Sequence, residues 1–402
     1  MKAVEIKPDV YWVGGIDWNL RNFHGYITPR GSTYNSYLIL DEKVTLIDTV
    51  KHYLFDDMKE RISSIINPRK IDVVISNHVE MDHSGSLPKI LDIASKATLV
   101  TSTRGEHGLN QHYDNNWNFK VVDAGDNLSI GKRTLDFIPI PMVHWPDSMV
   151  TYSKKDKILF PNDAFGQHIA STERFDDQLE WGILKEEAAK YYANIVFPFG
   201  GQVQKALGEV SKLDFDTIAP SHGIIWQSHL KDIIPLYDGW SKNETKPFAV
   251  IVYDTMWGST EKLARALASS LEEEGVNVRL HNVQNSPFSE IITDILEARL
   301  IAIGSPTLNN NMLPMIGGFL TYLKGLKPLN RIGFVFGSYG WGGQAVKQIG
   351  DILKELKWEF PEEHLNINFI PTDKDLANVK NKGKKLAQKV KLNENGGKEY
   401  GE

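Results

Sequence analysis

Six residues near position 80 bring together four potential metal ligands. The stretch HVEMDH, residues 78–83, contains His78, Glu80, Asp82 and His83. Four ionisable side chains in one short loop would repel and desolvate one another unless a cation compensated them. Imidazole nitrogens and carboxylate oxygens suit iron, zinc or manganese. The loop therefore predicts a metal site.

Three further candidates occupy the same position as His78, at the end of an apolar strand-like run. His144 follows TLDFIPIPMV, Asp163 follows KILFPN and His222 follows TIAPS. Ligands gather where strand ends turn into loops, so these positions can converge on one place. Seven ligands exceed what one first-row ion usually takes. The set predicts two metal ions with Asp163 as the bridging carboxylate.

The spacing distributes the ligands of the HVEMDH loop between two ions. His78 and Glu80 can point the same way in an extended turn, whereas Asp82 and His83 follow a kink and point to the second ion. Two histidines and a carboxylate on each side suit non-haem iron, although zinc and manganese remain compatible with the ligand types. The remaining histidines considered are expected to be ordinary core or surface residues: His52, His107, His112, His168, His229, His281 and His364.

The composition narrows the chemistry further. A chain of 402 residues, 41% hydrophobic, is long enough for two domains. The complete lack of cysteine excludes disulfides, cysteine-ligated zinc, rubredoxin-type iron and iron–sulfur clusters within this chain. A formal charge of -6 argues against a nucleic-acid partner. Because no window approaches the ~20 apolar residues of a membrane span, we expect a soluble, cytoplasmic protein without a membrane partner.

The elements that must position these residues fall into two domains. The polar stretch GWSKNETKP, residues 239–247, predicts a boundary at Lys246, giving domains 1–246 and 247–402. Before it, β-like runs such as NSYLIL, VTLIDTV and IDVVIS recur among helix-like segments, a pattern typical of an α/β domain rich in sheet. After it, five strands alternate with five helices, which predicts a doubly wound parallel sheet. The polar tail KLNENGGKEYGE is expected to fray.

Three loops of the second domain are typical of flavin binding. The first strand ends in YDTMWGSTEKLA, whose hydroxyls, glycine and following helix N-terminus could hold a monophosphate such as that of FMN. GSPTLNNNMLP and GSYGWGGQA end the third and fourth strands, at the edge where doubly wound sheets bind ligands. Trp257, Tyr339 and Trp341 could stack on or border the isoalloxazine ring. The residues assigned to FMN are Thr255, Met256, Trp257, Gly258, Ser259, Thr260, Ser305, Pro306, Thr307, Leu308, Asn309, Asn310, Ser338, Tyr339, Gly340, Trp341 and Gly342.

Taken together, the motifs resemble those of the flavodiiron proteins, also called A-type flavoproteins or rubredoxin:oxygen oxidoreductases. The resemblance runs from DWNLRNFHGY to the last helix and is carried by HVEMDH, MVHWPDSM, PNDAFGQH, APSHGIIW, YDTMWGSTEK, GSPTLNNNMLP and GSYGWGG. It implies an N-terminal metallo-β-lactamase-like αββα sandwich holding two irons, followed by a C-terminal flavodoxin-like domain holding FMN. It also implies reduction of O2 to water, of NO to N2O, or both, as a scavenging activity in an anaerobe or microaerophile.

The resemblance also assigns residues to the metal site. It assigns His78, Glu80 and His144 to one iron. It assigns Asp82, His83 and His222 to the other iron, and Asp163 bridges the two. Glu80 stands where the wider lactamase-like fold usually has histidine, which favours iron over zinc. The substrate pocket would include the following residues: His24, Tyr26 and Tyr192.

The resemblance implies partners as well. Because the chain carries no rubredoxin or reductase domain, electrons should arrive from a separate rubredoxin or from a reduced deazaflavin. Protomers should pair head to tail in a homodimer or tetramer, so that the flavin of one faces the diiron site of the other. Two other readings of the sequence are a zinc-dependent hydrolase of the glyoxalase or lactamase type, and an electron-transfer or interaction protein whose metal is structural.

Overall fold

The computed structural model describes residues 1–392, so most of the polar tail predicted to fray lies outside the described residues. The chain divides into two compact units. The first contains Met1–Tyr192 and Phe199–Ser241, and the second contains Ala193–Pro198 and the residues from Lys242 onward. The second unit thus begins close to the predicted boundary at Lys246, and it also takes in a short segment that the sequence assigned to the first domain.

The first unit is built from many short strands and seven helices within the described residues. Its strands are β1 (Val4–Lys7), β2 (Val10–Trp12), β3 (Gly15–Asp17), β4 (Asn22–Phe23), β5 (Tyr26–Ile27), β6 (Ser32–Tyr34), β7 (Tyr37–Ile39), β8 (Thr45–Ile47), β9 (Val73–Ile75), β10 (Thr98–Ser102), β11 (Asn118–Val122), β12 (Asn127–Ser129), β13 (Thr134–Pro139), β14 (Met149–Ser153), β15 (Ile158–Phe160) and β16 (Thr217–Ile218). Its helices are α1 (Phe55–Ser63), α2 (Met81–Ser84), α3 (Leu87–Ile93), α4 (Thr103–His112), α5 (Trp181–Tyr191), α6 (Gly200–Val210) and α7 (Leu230–Ser241).

Two sheets form the centre of this unit, in the orders β1-β2-β7-β8-β9-β10-β11 and β12-β13-β14-β15-β16. Successive side chains of a strand point to opposite faces, and β8 shows the result. Leu46 packs with residues of α1, α3 and α4, whereas Ile47 packs between the two sheets. On the far face of the second sheet, Val150 and Leu159 approach residues of α6 and α7. The layers are therefore helix, sheet, sheet and helix, which confirms the expected αββα sandwich.

The second unit contains a five-stranded parallel sheet in the order β18-β17-β19-β22-β23. Its strands are β17 (Lys246–Tyr253), β18 (Asn277–Asn282), β19 (Ala298–Gly304), β20 (Thr307–Leu308), β21 (Asn311–Met312), β22 (Ile332–Tyr339) and β23 (Leu365–Asn368), of which β20 and β21 form a separate hairpin. Its helices are α8 (Ser259–Glu273), α9 (Phe288–Ile295), α10 (Pro314–Leu326), α11 (Gln344–Glu355) and α12 (Asp373–Lys391). Strand β19 is buried along its whole length, as a parallel strand covered by helices on both faces should be. The predicted doubly wound sheet is confirmed.

Most of the short segment between α5 and α6, namely Ala193–Pro198, packs within the second unit. It begins with a π-helical turn, Tyr192–Val196, and ends in a 3₁₀ turn, Phe197–Phe199. The Asn194 amide donates to the carbonyl of Ser289 at 3.1 Å, and the Tyr322 hydroxyl donates to Asn194 Oδ1 at 2.8 Å. These bonds explain why Ala193–Pro198 belongs to the second unit.

Three further 3₁₀ turns lie in the first unit: His52–Leu54, Pro68–Lys70 and Asp176–Gln178. Among residues 1–392, no helix is both long enough and apolar enough to cross a membrane.

Candidate functional site

The seven ligands predicted from the sequence form two adjacent groups in the first unit. The larger group consists of His78, Glu80, His144 and Asp163, and the smaller one consists of Asp82, His83 and His222. Within each group, the potential ligand atoms lie within 4.8 Å of one another. The structure thus brings together residues that are spread over more than a third of the sequence.

Asp163 lies between the two groups. Its Oδ2 is 3.2 Å from Nε2 of His144 and 3.6 Å from Nε2 of His78. Its Oδ1 is 3.0 Å from Nε2 of His83 and 3.3 Å from Nε2 of His222. Each carboxylate oxygen therefore faces a different pair of histidines, which is the arrangement required of a carboxylate that bridges two ions.

One further carboxylate belongs to each pair of histidines. Glu80 Oε2 lies 3.4 Å from Nε2 of both His78 and His144. The two Asp82 oxygens lie 3.3 and 3.2 Å from Nε2 of the other two histidines. Two ligands bound at about 2.1 Å and roughly at right angles stand about 3 Å apart. The spacing of these nitrogens and oxygens therefore suits ligands that share an ion.

The loops that carry the ligands are tied to one buried carboxylate, that of Asp48. The Asn77 backbone amide and side-chain amide donate to Asp48 at 2.8 and 3.0 Å, and the Asn162 amide donates to it at 3.2 Å. The next residue, Thr49, donates its backbone N–H to the carbonyl of His83 at 3.0 Å. Because Asn77 and Asn162 directly precede His78 and Asp163, this network fixes the ends of β9 and β15 relative to α2.

Two ligand histidines are also oriented through their second ring nitrogen. The Asp147 carboxylate lies 2.9 Å from Nδ1 of His78 and accepts the backbone N–H of Val79 at 2.8 Å. Nδ1 of His222 lies 2.9 Å from the carbonyl oxygen of Thr33. A hydrogen bond at Nδ1 leaves Nε2 free to bind a metal and fixes the plane of the ring.

The charges of the cluster couple its protonation states. Burial alone would lower the pKa of His144, yet hydrogen bonds with Asp163 and Glu80 raise it to about 9. Burial would likewise lower the pKa of His222, which hydrogen bonds with Asp163 and Asp82 raise to about 10. Burial would raise the pKa of Asp163, but the surrounding histidines hold it well below the usual value. The cluster retains protons at neutral pH in the positions where a cation would bind.

Asp82 and His83 test whether a metal ion fits this cluster. Both are buried, with exposed fractions of 4% and 2%. In the part of the chain that the structure describes, neither carboxylate oxygen of Asp82 and neither ring nitrogen of His83 makes a hydrogen bond of good geometry, and the polar atoms that approach them at 3.0–3.3 Å belong to other members of the cluster. Unpartnered buried ionisable groups are costly, and coordination to a cation removes that cost. A donor set of imidazole and carboxylate groups fits iron.

The predicted pocket residues lie at different distances from the cluster. His24 is exposed, and its Nε2 lies 3.3 Å from Glu80 Oε1. Tyr26 is buried, and its ring centroid lies 5.3 Å from that of His168. The Tyr192 ring packs against Tyr237 and Trp240, at centroid distances of 5.1 and 5.4 Å.

The neighbouring residue Tyr191 has its ring against a proposed metal ligand, His222, and was not among the residues predicted from the sequence. Its ring centroid lies 5.8 Å from His222 and 5.1 Å from His168. Burial and the carboxylates of Asp163 and Asp82 raise the pKa of Tyr191 well above its usual value. The buried apolar and aromatic positions of α5 are Leu184, Ala188 and Tyr191, and their helical periodicity was the available signal.

A second candidate site lies at the carboxyl ends of the strands of the second unit. It is a cavity of about 670 Å³, a size typical of small-molecule sites. The three loops predicted to bind FMN line it, together with the loop after β23, in the following residues: Thr255, Met256, Trp257, Ser259, Pro306, Thr307, Leu308, Asn309, Asn310, Ser338, Tyr339, Gly340, Trp341, Gly342, Phe369 and Ile370.

The three predicted residues that do not line this cavity have other contacts. Gly258 has a φ of 82°, where glycine is favoured, and donates its N–H to Oγ1 of Thr255 at 3.1 Å. Thr260 is buried, with its hydroxyl 3.0 Å from that of Ser338. The hydroxyl of Ser305 accepts the N–H of Leu313, at 3.0 Å. These residues hold the loops that form the cavity.

Phe369 and Ile370 line the cavity and were not among the residues predicted from the sequence. They follow β23, the fifth strand of the parallel sheet. The rule that ligands bind at the carboxyl ends of strands applies to β23 as it does to its neighbours. Applied to the run LNINFIPTD, the same rule would have found them.

Sequence families match each unit separately. The family described as ODP family beta lactamase matches residues 33–223. The family described as Flavodoxin matches residues 251–383.

Relatives and solved structures match nearly the whole chain. A nitric oxide reductase from Moorella thermoacetica is 44% identical, covering 97% of this chain and 99% of that protein. A rubredoxin-oxygen oxidoreductase from Megalodesulfovibrio gigas is 39% identical, covering 97% of this chain and 99% of that protein. The crystal structure of the flavodiiron protein from Giardia intestinalis, 36% identical, superposes with a TM-score of 0.95 and covers 97% of both chains.

Proposed function

The chain belongs to the flavodiiron proteins, and we infer that it is an oxidoreductase that reduces O2 to water, NO to N2O, or both. The observation that carries this inference is the position of Asp163, whose two carboxylate oxygens face two separate pairs of histidines. Such a cluster suits two ions that share a small substrate. We infer a scavenging role in an anaerobe or microaerophile.

The residues proposed to hold the irons follow the two groups of the cluster. His78, Glu80 and His144 would bind one iron. Asp163 would bridge, and the ligands of the other iron would be Asp82, His83 and His222. When bound, two ferrous ions and reduced FMN supply the four electrons that convert O2 to two waters, or the two that convert two NO to N2O and water.

The chain's own residues would position the substrate and supply protons. His24 is exposed and lies beside Glu80, where its imidazole can offer a hydrogen bond or a proton to a substrate at the cluster. Tyr191 is buried against His222 and keeps its proton at working pH, so it can act as a hydrogen-bond donor. Tyr26 and Tyr192 complete the proposed pocket, where their rings pack against His168 and Tyr237 and their hydroxyls can offer hydrogen bonds.

FMN is proposed to bind in the cavity of the second unit. The N-terminus of α8, with Gly258, Ser259 and Thr260, would take the phosphate through backbone N–H groups. Trp257 and Trp341, which are 93% and 95% exposed, would border the ring. The remaining assigned residues of the three loops would close around the ring.

The electron donor is proposed to be a separate rubredoxin or a reduced deazaflavin. The chain contains no cysteine and so cannot hold a rubredoxin-type iron itself. The name of the relative from Megalodesulfovibrio gigas supports a rubredoxin-like donor.

Head-to-tail pairing of protomers, as a dimer or within a tetramer, is proposed to bring flavin and irons together. Exposed apolar side chains border both sites. Trp257 and Trp341 stand at the flavin cavity, and Met81, which is 56% exposed, stands in the ligand loop. Large exposed apolar side chains at two sites suit an interface between copies.

The testing experiment measures metal and flavin content together with gas consumption. Protein purified without oxygen is analysed for iron, zinc and FMN. It is then reduced and mixed with O2 or NO while a gas-selective electrode records consumption of the gas. We expect two irons and one FMN per chain, and rapid consumption of at least one gas. The control is Asp163→Asn, which should keep FMN and lose consumption. Iron- and FMN-loaded protein that consumes neither gas would contradict the proposal.

A further inference from the structure

A small cavity lies in the first unit, between the sheet that contains β14 and β15 and the helices that cover it, α6 and α7. The loops that follow β13 and β15 complete its wall. Its volume is about 20 Å³. A single water-sized molecule needs about 10–15 Å³, so the cavity has room for one small molecule.

The wall of the cavity is almost entirely apolar. Among the described residues that form it, eleven have hydrocarbon side chains and the twelfth is Tyr237. The Tyr237 hydroxyl oxygen already accepts the backbone N–H of Phe165, at 2.9 Å. A buried water usually makes about three hydrogen bonds, and a cavity without enough polar partners stays dry or takes up an apolar molecule. The cavity therefore favours a small uncharged molecule over water.

The inner wall of the cavity adjoins two of the proposed metal ligands. Val143 lies in the wall and directly precedes His144. Pro161 and Ala164 lie in the wall on either side of Asp163, and Ala164 directly follows it. The carboxylate of Asp163 lies between the two groups of ligands. One loop therefore forms part of the cavity wall and also holds the proposed bridging carboxylate.

The outer wall of the cavity is formed by α6. Ala206 and Leu207, both on this helix, are half-buried, whereas the other ten wall residues are buried. A molecule that arrives from solvent on this side thus meets α6 first, then the cavity, and then the loop that carries Asp163.

We propose that this cavity binds the gaseous substrate, O2 or NO, and supplies it to the metal centre from the side of α6. Both gases are uncharged and diatomic, so they fit the volume and need no hydrogen bonds from the wall. The inference rests on the proposed function, because these gases are the substrates of that reaction. A gas molecule bound here is held next to the loop of Asp163 in a place that water disfavours.

Xenon tests the binding site without turnover, because it binds apolar cavities and is readily located by X-ray diffraction. Crystals of the iron- and FMN-loaded protein are pressurised with xenon, and we expect a xenon atom in the cavity, in contact with Ala206 and Val203. Ala206→Leu enlarges a side chain of the wall and should exclude xenon. Val203→Ala removes two methyl groups from the wall and should admit more xenon. The matched control is Ala377→Leu, at an exposed position of α12 that does not line the cavity, and it should bind xenon as wild type does.

Reoxidation of the fully reduced protein by O2 in a single turnover tests the supply of gas. For Ala206→Leu, we expect the second-order rate constant to fall severalfold at limiting O2, with iron and FMN content unchanged and with a smaller loss as the O2 concentration rises. Ala377→Leu should match wild type at every O2 concentration. Xenon should slow reoxidation of wild type relative to helium at the same pressure, and it should not slow Ala206→Leu further.

A cavity that holds an ordered water and takes up no xenon would overturn the proposal. So would an Ala206→Leu protein that excludes xenon and yet reoxidises at the wild-type rate. If Ala206→Leu does not fold, Val203→Ala decides the question, because its larger cavity should make reoxidation more sensitive to xenon than in wild type. A wild-type protein that consumes neither O2 nor NO would instead contradict the proposed function, and the xenon-pressurised crystals would still show whether the cavity binds a gas.

Discussion

Asp147 orients His78, a proposed metal ligand, without belonging to either group of ligands. Its carboxylate pairs with Nδ1 of His78 and so fixes the ring. Loss of such an orienting carboxylate typically weakens metal binding about 10–100-fold. We therefore expect Asp147→Ala to lower iron affinity by that factor, measured by competition with a chelator of known affinity.

The control for this variant is Asp232→Ala. Asp232 pairs with Nδ1 of His229 at 2.7 Å, a carboxylate–histidine pair outside the ligand cluster. Its removal should leave iron affinity unchanged. Equal affinities for Asp147→Ala and wild type would show that the orientation of His78 does not limit binding.

Metal uptake should release protons, because three of the histidines proposed as ligands are protonated at neutral pH in the metal-free protein. The pKa of His144 is raised to about 9 and that of His222 to about 10. Burial would lower the pKa of His78, but hydrogen bonds with Asp147 and Glu80 raise it well above its usual value. The cations must displace these protons, so about three should be released at pH 7 for each pair of ions bound, and affinity should rise with pH until about 10. Calorimetric titration in two buffers of different ionisation enthalpy measures the release. An affinity that is the same at about pH 6.5 and about pH 8.5 would contradict this expectation.

At the residue scale, the sequence pointed to the side chains that meet and not to their surroundings. The seven proposed ligands were selected because ionisable residues rarely follow so many apolar strands unless they bind a cation, and all seven lie in two groups that could hold metal ions. Tyr191 and Asp48 gave no such signal. An aromatic residue in a helix is usually core, and an aspartate after a strand is usually a turn residue. Their roles depend on contacts with loops that are distant in the sequence.

The loop after β17 should hold FMN through its shape as well as its hydroxyl groups. Thr255 Oγ1 accepts the N–H of Gly258, so Thr255→Val removes this bond and keeps the side-chain volume. A hydrogen bond of this kind contributes about 0.5–1.5 kcal/mol, so we expect FMN affinity to fall by up to roughly tenfold. Quenching of FMN fluorescence by the flavin-free protein measures it.

Thr321→Val is the matched control for the loop variant. Thr321 donates to the carbonyl of Gly317 within α10, at 2.9 Å, and does not line the cavity. The Thr321→Val protein should bind FMN with the affinity of wild type. If Thr255→Val also binds FMN as wild type does, the loop holds its conformation without the bond.

At the element scale, the two units differed in how much the sequence revealed. Strands and helices alternate in the second unit, and each buried strand such as β19 is an unbroken apolar run. In the first unit, β16 has two residues and α2 has four, so neither gives a periodic signal. Their positions come from pairing with β15 and from the Asp48 network, which the local sequence does not encode.

At the scale of the whole molecule, the segment Ala193–Pro198 was the least predictable feature. The sequence placed the domain boundary once, near Lys246, because composition changes there. At the π-helical turn that begins at Tyr192, the chain enters the second unit, and it returns to the first unit after Pro198. The amino-acid composition does not change at either point. Its attachment depends on Asn194 and Tyr322, which are 128 residues apart.

Head-to-tail pairing predicts that two inactive variants will restore activity to each other. Asp163→Asn should lack irons and keep FMN, and Gly258→Val should lack FMN and keep irons, because a β-branched residue is strained at a φ of 82°. Each variant alone should be inactive. In random mixtures of the two, half of the dimers are mixed, and each mixed dimer has one intact pair of flavin and irons. We therefore expect about one quarter of wild-type activity from the unselected mixture after co-expression, and about one half from mixed dimers isolated through two different affinity tags. If electrons passed from flavin to irons within one chain, the mixed dimers would be as inactive as the parent variants.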